Sequence, residues 1–195
     1  LLKIVITTPA AIFFAVAMAE VPSKKYRQVV QTVTYLPHFL SWIIVYGVFF
    51  SMLSESRGLL NYLIRSLTGH SVNFMSSTKW FRTLLVVSDL WKENGWNAIV
   101  YLAAIIGIDS SLYEAARIDG CNRLQMIGHV TLPGIRSVVI IMLLLKVGSI
   151  LDAGFDQVYA MYNTQVLSVG DIIDTWVYRT GLRQWNLSLA SAVGL

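Results

Sequence analysis

The sequence predicts an all-α membrane protein. Hydrophobic residues occupy 55% of the 195 positions and charged residues only 13%, whereas roughly a quarter of the residues in a soluble domain are charged. The long apolar runs lack the strict alternation of polar and apolar residues that indicates a strand. Because lipid cannot satisfy free backbone groups, we expect these runs to cross a bilayer as helices.

Four apolar runs approach or exceed the roughly 20 residues that a helical span requires. The predicted spans cover residues 1–19, 29–53, 80–108 and 135–155, and residues 186–195 begin a further span. The sequence starts without Met inside an apolar run, and residues 186–195 would cross only about half of a bilayer core. We therefore expect a single transmembrane domain that is incomplete at both ends.

The loop between the first two spans, "EVPSKKYRQ", is short and basic, which predicts that it lies in the cytoplasm. Alternation then places residues 54–79 outside, 109–134 inside and 156–185 outside. Charge alone does not explain the basic residues on the predicted outer side, which are Arg57, Arg65, Lys79, Arg179 and Arg183.

Two local features modify the simple pattern of spans. The outer segment "GLLNYLIRSLTG" has apolar residues at helical spacing between Gly58 and Gly69; it is too short to cross a bilayer, so we expect an interfacial helix. Pro37 interrupts the second span, where a proline is expected to kink the helix and free a carbonyl.

The composition excludes several other classes of site. The fifteen Lys and Arg residues give a net charge of +4 but are scattered singly, which argues against nucleic acid and favours contact with anionic lipid. Cys121 is the only cysteine, so the sequence offers neither an internal disulfide nor a zinc set. His38, His70 and His129 are too far apart to match a metal-ligand spacing.

The inner loop contains "YEAARIDGCNRLQMIGHVTLPG", a polar segment punctuated by Gly and Pro. Ser111 and Glu114 fit a capping box, and Gly120 fits a helix stop, which predicts a helix of about two turns. A second short helix is expected over residues 122–128, with Pro133 in the first turn of the next span. From the residues alone, a surface-lying connector and a docking site for a soluble partner are equally good interpretations.

The spacing in this loop resembles the "EAA" motif of permease subunits in binding-protein-dependent ABC importers. In that family an Ile usually occupies the place of Val130. The flanking "GIDSSLYEAARIDG" resembles the carbohydrate branch, and "YLPHFLSWIIVYGVFF" and "FDQVYAMYNTQVLSVGDIIDTWVYRTGL" are similar to permeases for oligosaccharides and polysaccharide fragments, including lipo-oligosaccharide-type and alginate importers. The resemblance covers nearly the whole chain.

The resemblance implies a type I ABC importer-like helical bundle in which this loop is a cytoplasmic coupling helix. Such a helix lies nearly parallel to the membrane and docks into a groove on the ATPase, and small residues there let the partner approach the backbone closely. A cytoplasmic ATPase agrees with the orientation expected from charge. The coupling residues implied by the motif are Glu114, Ala115, Ala116, Asp119, Gly120, Leu132 and Pro133.

The third span carries charged and polar residues near its middle. Their spacing of i, i+3, i+4, i+7 and i+8 places Asp89, Lys92, Glu93, Trp96 and Asn97 on one helical face. Intramembrane ionisable groups usually face a bundle interior or a water-filled pathway. The alternative is an ion pair between Lys92 and a neighbouring carboxylate that only stabilises packing.

Aromatic and amide groups beside this stripe would suit a sugar, since aromatic rings stack on pyranose faces and amides bond hydroxyls. Trp91 and Tyr101 are further aromatic candidates, although not all of these groups share one face. Trp96 and Asn97 are the preferred pair. Lys146 could meet an acidic sugar, although a structural ion pair is commoner. The candidate pathway residues are Asp89, Lys92, Glu93, Asn94, Trp96, Asn97 and Lys146.

These features predict a multi-pass, non-enzymatic permease subunit of the bacterial cytoplasmic membrane. The chain has no Walker-type phosphate loop, so it should bind no cofactor, with ATP and Mg²⁺ held by a partner ATPase dimer. The resemblance also implies a second homologous permease and a periplasmic or surface solute-binding protein, for which residues 171–183 are a possible contact. A homodimeric permease core stays open as an alternative.

Two alternative functions would use the acidic residues of the spans. An ion- or proton-coupled carrier would use Asp89, Lys92 and Glu93 as a relay and would need no ATPase. An intramembrane aspartyl protease would use Asp89 and Asp152, but neither residue has the glycine-containing context that such sites favour.

Overall fold

The computed structural model describes residues 2–150 and 154–194, which form helices and no strands. This confirms the predicted all-α class. The α-helices are α1 (Leu2–Ala19), α2 (Lys24–Tyr35), α3 (Trp42–Leu53), α4 (Leu59–Thr68), α5 (Thr78–Ile106), α6 (Ser110–Ile118), α7 (Arg123–Met126), α8 (Leu132–Gly134), α9 (Arg136–Gly148), α10 (Phe155–Met161), α11 (Leu167–Gly170), α12 (Ile173–Tyr178) and α13 (Leu187–Gly194). A 3-10 turn covers Leu36–Phe39, and π-helical turns cover Ile127–Thr131 and Arg179–Arg183.

Within the described residues, α1 is the single helix that is by itself long and apolar enough to cross a membrane. Up to four spans result if each bent pair of neighbouring helices counts as one, judged by length and composition only. The three bent pairs are Lys24–Phe39 with Trp42–Leu53, Thr78–Ile106 with Ser110–Ile118, and Arg123–Gly134 with Arg136–Gly148.

The predicted second span, residues 29–53, is not one continuous helix. The α-helix ends at Tyr35, the 3-10 turn follows, and α3 begins only at Trp42. Pro37 explains the break, because its ring removes an N–H donor and clashes with the preceding turn. Ser41 then restarts the helix by accepting a 3.4 Å hydrogen bond from the Ile44 N–H.

The helix of the predicted fourth span, residues 135–155, is also shorter than expected. It runs as α9 and ends at Gly148, and α10 begins at Phe155 after Gly154 in a left-handed conformation. Asp152, the second acid of the protease alternative, lies outside the described residues. The start of the predicted fifth span forms α13.

The chain divides into two compact units, and one of the boundaries between them falls inside α5. The first unit comprises Leu1–Phe39 and Asp89–Gly148. Its buried core is formed by Ala11, Ala15, Val16, Met18, Ala98, Tyr101, Leu102, Ile105 and Ile135.

A glycine allows α2 and α5 to touch inside the first unit. A Cβ built on Gly95 would collide with the carbonyl group of Thr34, because it would lie only 2.8 Å from the Thr34 carbonyl carbon. Gly95 is itself buried. The backbones therefore approach to a distance that no larger residue permits, and this brings the end of α2 and the 3-10 turn against the charged part of α5.

The second unit comprises Leu40–Ser88 and Ser149–Leu195. Its buried core contains Val45, Phe81, Met161 and Val166. Phe81 fills the space beside Gly170, where a Cβ would overlap the phenyl ring. Gln157 is fully buried and donates hydrogen bonds of 2.7 Å to the Leu85 carbonyl and 2.8 Å to the Ser88 hydroxyl.

The predicted short helix of the outer segment is present as α4. The buried Asn61 connects α4 to the segments on either side of it. Its side-chain amide donates to the carbonyls of Leu53 and Val72, both at 2.9 Å, and accepts from the Val72 N–H at 2.8 Å. The opposite face is apolar and exposed, with Leu63 57% and Leu67 85% accessible. Such a face suits an interfacial helix, and that placement stays a prediction.

Candidate functional site

The inner loop forms an exposed elbow over residues 109–134 whose first arm is α6. The cap at its start differs from the predicted Ser111–Glu114 capping box. Asp109 is the N-cap, and its carboxylate accepts a 2.9 Å hydrogen bond from the Ser111 N–H. This hydrogen bond lowers the pKa of Asp109 below its ordinary value. Asp is among the strongest N-cap residues, so it takes the position from Ser111.

The end of α6 is a Schellman motif centred on Gly120. The Cys121 N–H donates to the Ala116 carbonyl at 2.9 Å, and the Gly120 N–H donates to the Arg117 carbonyl at 3.0 Å. Gly120 has a φ of +79°, a left-handed conformation that favours glycine. The predicted helix stop is therefore correct, with Gly120 as its key residue.

The second arm begins with a capping box at Asn122 and Gln125. Each side chain accepts from the backbone N–H of the other residue, at 2.9 and 2.8 Å. The arm continues through the π-helical turn and α8. The hydroxyls of Tyr113 and Thr131 lie 3.0 Å apart and join the two arms. The elbow is thus locally capped and internally connected.

Pro133 was predicted to lie in the first turn of the next span, but the long helix of that span begins only after it. Pro133 lies in α8, and the axis bends by 59° before α9 starts at Arg136. Gly134 packs against Ile108, whose Cδ1 would be 2.7 Å from an added Cβ. The end of the elbow therefore packs against Ile108, two residues after α5.

Most of the residues matching the EAA motif face solvent. Ala116 is buried at 8% exposure and packs inward, and the exposed members are Glu114, Ala115, Asp119, Gly120, Leu132 and Pro133. Large apolar side chains beside them are also accessible, with Ile118 86% and Leu124 79% exposed. Exposed apolar side chains beside a charged residue are typical of a protein interaction surface.

The charged residues of α5 form a compact cluster with the 3-10 turn. The Lys92 ammonium donates to the Glu93 carboxylate and to the His38 carbonyl, each at 2.7 Å. The other Glu93 oxygen lies 2.7 Å from His38 Nδ1. The Lys92 side chain is only 7% exposed. The two charges therefore satisfy one another, as the packing alternative for Lys92 predicts.

An aromatic group adjoins this cluster. The His38 ring stacks on Trp96 with centroids 4.3 Å apart and planes 1° from parallel, and Phe39 meets Trp96 edge to face at 5.8 Å. Trp96 and Phe39 keep 43% and 72% of their surface exposed. His38 and Phe39 were absent from the predicted set, because their position depends on a contact over 55 residues. The Pro37 break was the only local signal.

The remaining predicted residues lie at separate points of the first unit. Asp89 is 3.6 Å from the Lys3 ammonium, and Lys146 donates to the Thr8 hydroxyl at 3.2 Å. Asn97 is half-buried. Among buried side-chain atoms of the described residues, the Asn94 amide oxygen and the Tyr101 hydroxyl have no hydrogen-bond partner. Trp91 is 42% exposed.

The class of this helical protein follows from its family. Residues 8–155 match the model of the binding-protein-dependent transport system inner membrane component, and the chain belongs to this family. The family consists of transport components and not of enzymes, and its description places its members in the inner membrane.

Two curated relatives match the whole of this chain. It is 43% identical over 194 residues to Protein LplB of Bacillus subtilis (strain 168), covering 61% of that protein. It is 42% identical to the polygalacturonan/rhamnogalacturonan transport system permease protein YteP of the same strain, covering 60% of it. The chain thus spans about three fifths of the length of these relatives.

Solved structures show the same fold. A chain of a bacterial ABC transporter involved in the import of the acidic polysaccharide alginate is 39% identical, with a TM-score of 0.95 over 99% of this chain and 68% of that chain. The alginate transporter in complex with an alginate pentasaccharide-bound periplasmic protein matches equally, over 67% of its chain. This similarity confirms the predicted type I ABC importer-like fold.

Proposed function

We propose that the chain is the multi-pass permease subunit of an ATP-driven importer that moves an oligosaccharide or polysaccharide fragment across the bacterial cytoplasmic membrane by alternating access. Membership of the binding-protein-dependent family supports this proposal. The names of two similar transport proteins, for polygalacturonan or rhamnogalacturonan and for alginate, support a saccharide substrate.

The observation that carries the proposal is the exposed elbow. Glu114, Ala115 and Gly120 face solvent on a short helix with a well-formed cap at each end. A partner ATPase can approach the backbone closely at Ala115 and Gly120, where no bulky side chain intervenes. The Tyr113–Thr131 hydrogen bond keeps the two arms together, so that movement of the ATPase reaches the spans as a rigid-body motion.

The other partners follow from the importer proposal. ATP and Mg²⁺ bind a cytoplasmic ATPase dimer, a second homologous permease completes the membrane core, and a solute-binding protein delivers the sugar. Residues 171–183 are the proposed contact with that binding protein. The Asp171–Arg179 ion pair, with a 2.6 Å contact, stabilises the backbone of this segment.

The sugar pathway is proposed to pass the aromatic pair formed by Phe39 and Trp96. Both rings keep exposed surface that can stack on a pyranose face, and the half-buried Asn97 can bond a hydroxyl. Lys146 supplies positive charge for an acidic sugar. In this proposal the paired Lys92 and Glu93 orient the His38 ring that supports Trp96, since they bond to both its backbone and its imidazole.

The test is substrate-stimulated ATP hydrolysis in proteoliposomes that contain the complete protein with its ATPase, second permease and binding protein. We expect Glu114→Lys and Gly120→Trp to assemble in the membrane but to lose ATPase docking and stimulation. Glu55→Lys makes the same charge change at an exposed residue of the predicted outer segment and should retain stimulation.

The same preparation separates the importer from the ion-coupled carrier. An importer transports nothing when the ATPase is omitted. Transport by both elbow variants at the wild-type rate without any ATPase would contradict the proposal and would favour the relay through Asp89, Lys92 and Glu93. Family membership favours the first outcome.

A further inference from the structure

A cavity of about 430 Å³ lies in the first unit, between the loop after α1, the end of α5 and the elbow. Val16, Ile105 and Met126 contribute an apolar wall. Both α1 and α5 end at this cavity, and both are long helices of the predicted spans. The cavity therefore lies where apolar helix ends give way to polar loops.

The cavity is also lined by basic residues. Arg27, Arg117 and Arg123 line it together with a single carboxylate, that of Glu20. Arg27 is half-buried. In the part of the chain that the structure describes, none of these three guanidinium groups forms a salt bridge. Three cations and one anion leave the site with an excess of positive charge.

We propose that this cavity binds the phosphate-bearing headgroup of an anionic phospholipid. A guanidinium group presents a planar fork of donors that matches phosphate oxygens, and basic pockets at the cytoplasmic ends of membrane helices suit acidic headgroups. The apolar wall beside the helix ends favours a lipid over free phosphate, because a free ion would leave that wall uncovered. The placement at the cytoplasmic leaflet rests on the orientation in the proposed function.

Lipid in this cavity would link the elbow to α2. Arg117 belongs to α6 and Arg123 to α7, whereas Arg27 belongs to α2. A headgroup bound to all three arginines joins the two arms of the elbow to the first turn of α2. The elbow then moves together with the start of α2, and anionic lipid favours one position of the elbow.

The experiment measures lipid retention by the complete importer in nanodiscs that contain phosphatidylcholine and phosphatidylglycerol. Native mass spectrometry gives the ratio of the two lipids that stay bound. We expect Arg27→Gln, Arg117→Gln and Arg123→Gln each to lower the preference for phosphatidylglycerol about fivefold, the effect of one lost charge near the surface. Glu20→Gln should raise the preference, because it removes the only carboxylate of the cavity wall.

Arg136→Gln is the matched control, since Arg136 is exposed at the start of α9 and does not line the cavity. An unchanged lipid ratio in all three cavity variants would overturn the proposal. Displacement of phosphatidylglycerol by inorganic phosphate would overturn it in favour of a free anion. Loss of the ATPase subunit with an unchanged lipid ratio would assign the cavity to the ATPase interface instead. The readout needs no ATP turnover, so it stands apart from the transport test.

Discussion

The elbow and the charged cluster belong to the same compact unit but are built in opposite ways. Hydrogen bonds in the elbow join residues no more than 18 positions apart, and most of its side chains face solvent. In the cluster, Lys92 and Glu93 meet His38 from 54 and 55 positions away, and the Lys92 side chain is almost fully enclosed.

The difference predicts how each region responds to change. A locally capped and exposed element loses little stability when one side chain is altered. A partner protein, however, contacts its exposed side chains directly. A cluster assembled by tertiary contacts contains charges that are costly to leave unpaired. We therefore expect substitutions in the elbow to affect coupling more than stability, and substitutions in the cluster to affect stability first.

The largest effect should come from Lys92→Met. This change leaves the Glu93 carboxylate with His38 alone and removes the donor from the His38 carbonyl, so we expect a loss of about 3 kcal/mol in the free energy of unfolding. The measurement is denaturation of the complete protein in detergent. Lys24→Met, at an exposed position of α2, should stay within about 0.5 kcal/mol of wild type.

The double variant Lys92→Met with Glu93→Leu shows whether the pair has a role beyond packing. Removing both charges should restore most of the stability. If transport also recovers, the pair only stabilises the helices. If transport stays low in a stable protein, the pair contributes to the sugar pathway.

Gly95→Ala should have the next largest effect. The new methyl group meets the Thr34 carbonyl, so the two helices must separate, and we expect a loss of about 1–3 kcal/mol. Gly47→Ala is the matched control, because a Cβ there meets nothing within 4 Å, and it should gain about 0.5–1 kcal/mol. Thermal unfolding that shows equal shifts for the two variants would contradict the close approach.

Gly120→Ala should cost less, about 1 kcal/mol. The space around an added Cβ is open, so the cost comes only from the left-handed backbone. We expect faster hydrogen exchange of the backbone amides at positions 120 and 121, whose hydrogen bonds close the end of α6. Gly128→Ala also meets open space but lacks the positive φ, and its exchange should stay at the wild-type rate. Equal exchange in both variants would argue against the cap.

The smallest effect is expected at the Asp171–Arg179 ion pair. Its residues are close in sequence, as in the elbow, but they carry charges, as in the cluster. Burial works against the charged form of Asp171, but hydrogen bonds from Arg179 and Thr175 and the Arg179 charge outweigh it, so its pKa lies below 3.8. The contribution to stability is therefore full above pH 3.8 and is lost as the pH falls below that value. Asp171→Asn should lose less than about 1 kcal/mol at neutral pH, and the variant and wild type should converge in acid. A difference that grows in acid would contradict this sign.

Much of the fold follows from local patterns in the sequence. The apolar runs predict the class and the long helices α1 and α5, and Gly120 marks the end of α6 because its conformation depends on the residue itself. The short helices α11 and α12 lie in the predicted outer segment, where no helix was predicted. The predicted capping box failed because Asp109, two residues earlier, is the N-cap and accepts from the Ser111 N–H, so Ser111 lies inside the first turn of the helix. The expected kink at Pro37 is present, but it is larger than a kink, because a 3-10 turn and a helix restart separate α2 from α3.

The sequence by itself determined the helical class, the family and the elbow, because burial of apolar runs and helix capping act over a few neighbouring residues. Only the tertiary structure decided that His38 would join Lys92, Glu93 and Trp96, because that contact requires a break at Pro37 and close packing at Gly95. The same holds for the basic cavity, whose three arginines come from three separate helices. A contact between residues 55 positions apart, such as His38 and Glu93, leaves no periodic pattern in the sequence. It forms only because the backbones of their helices pack together.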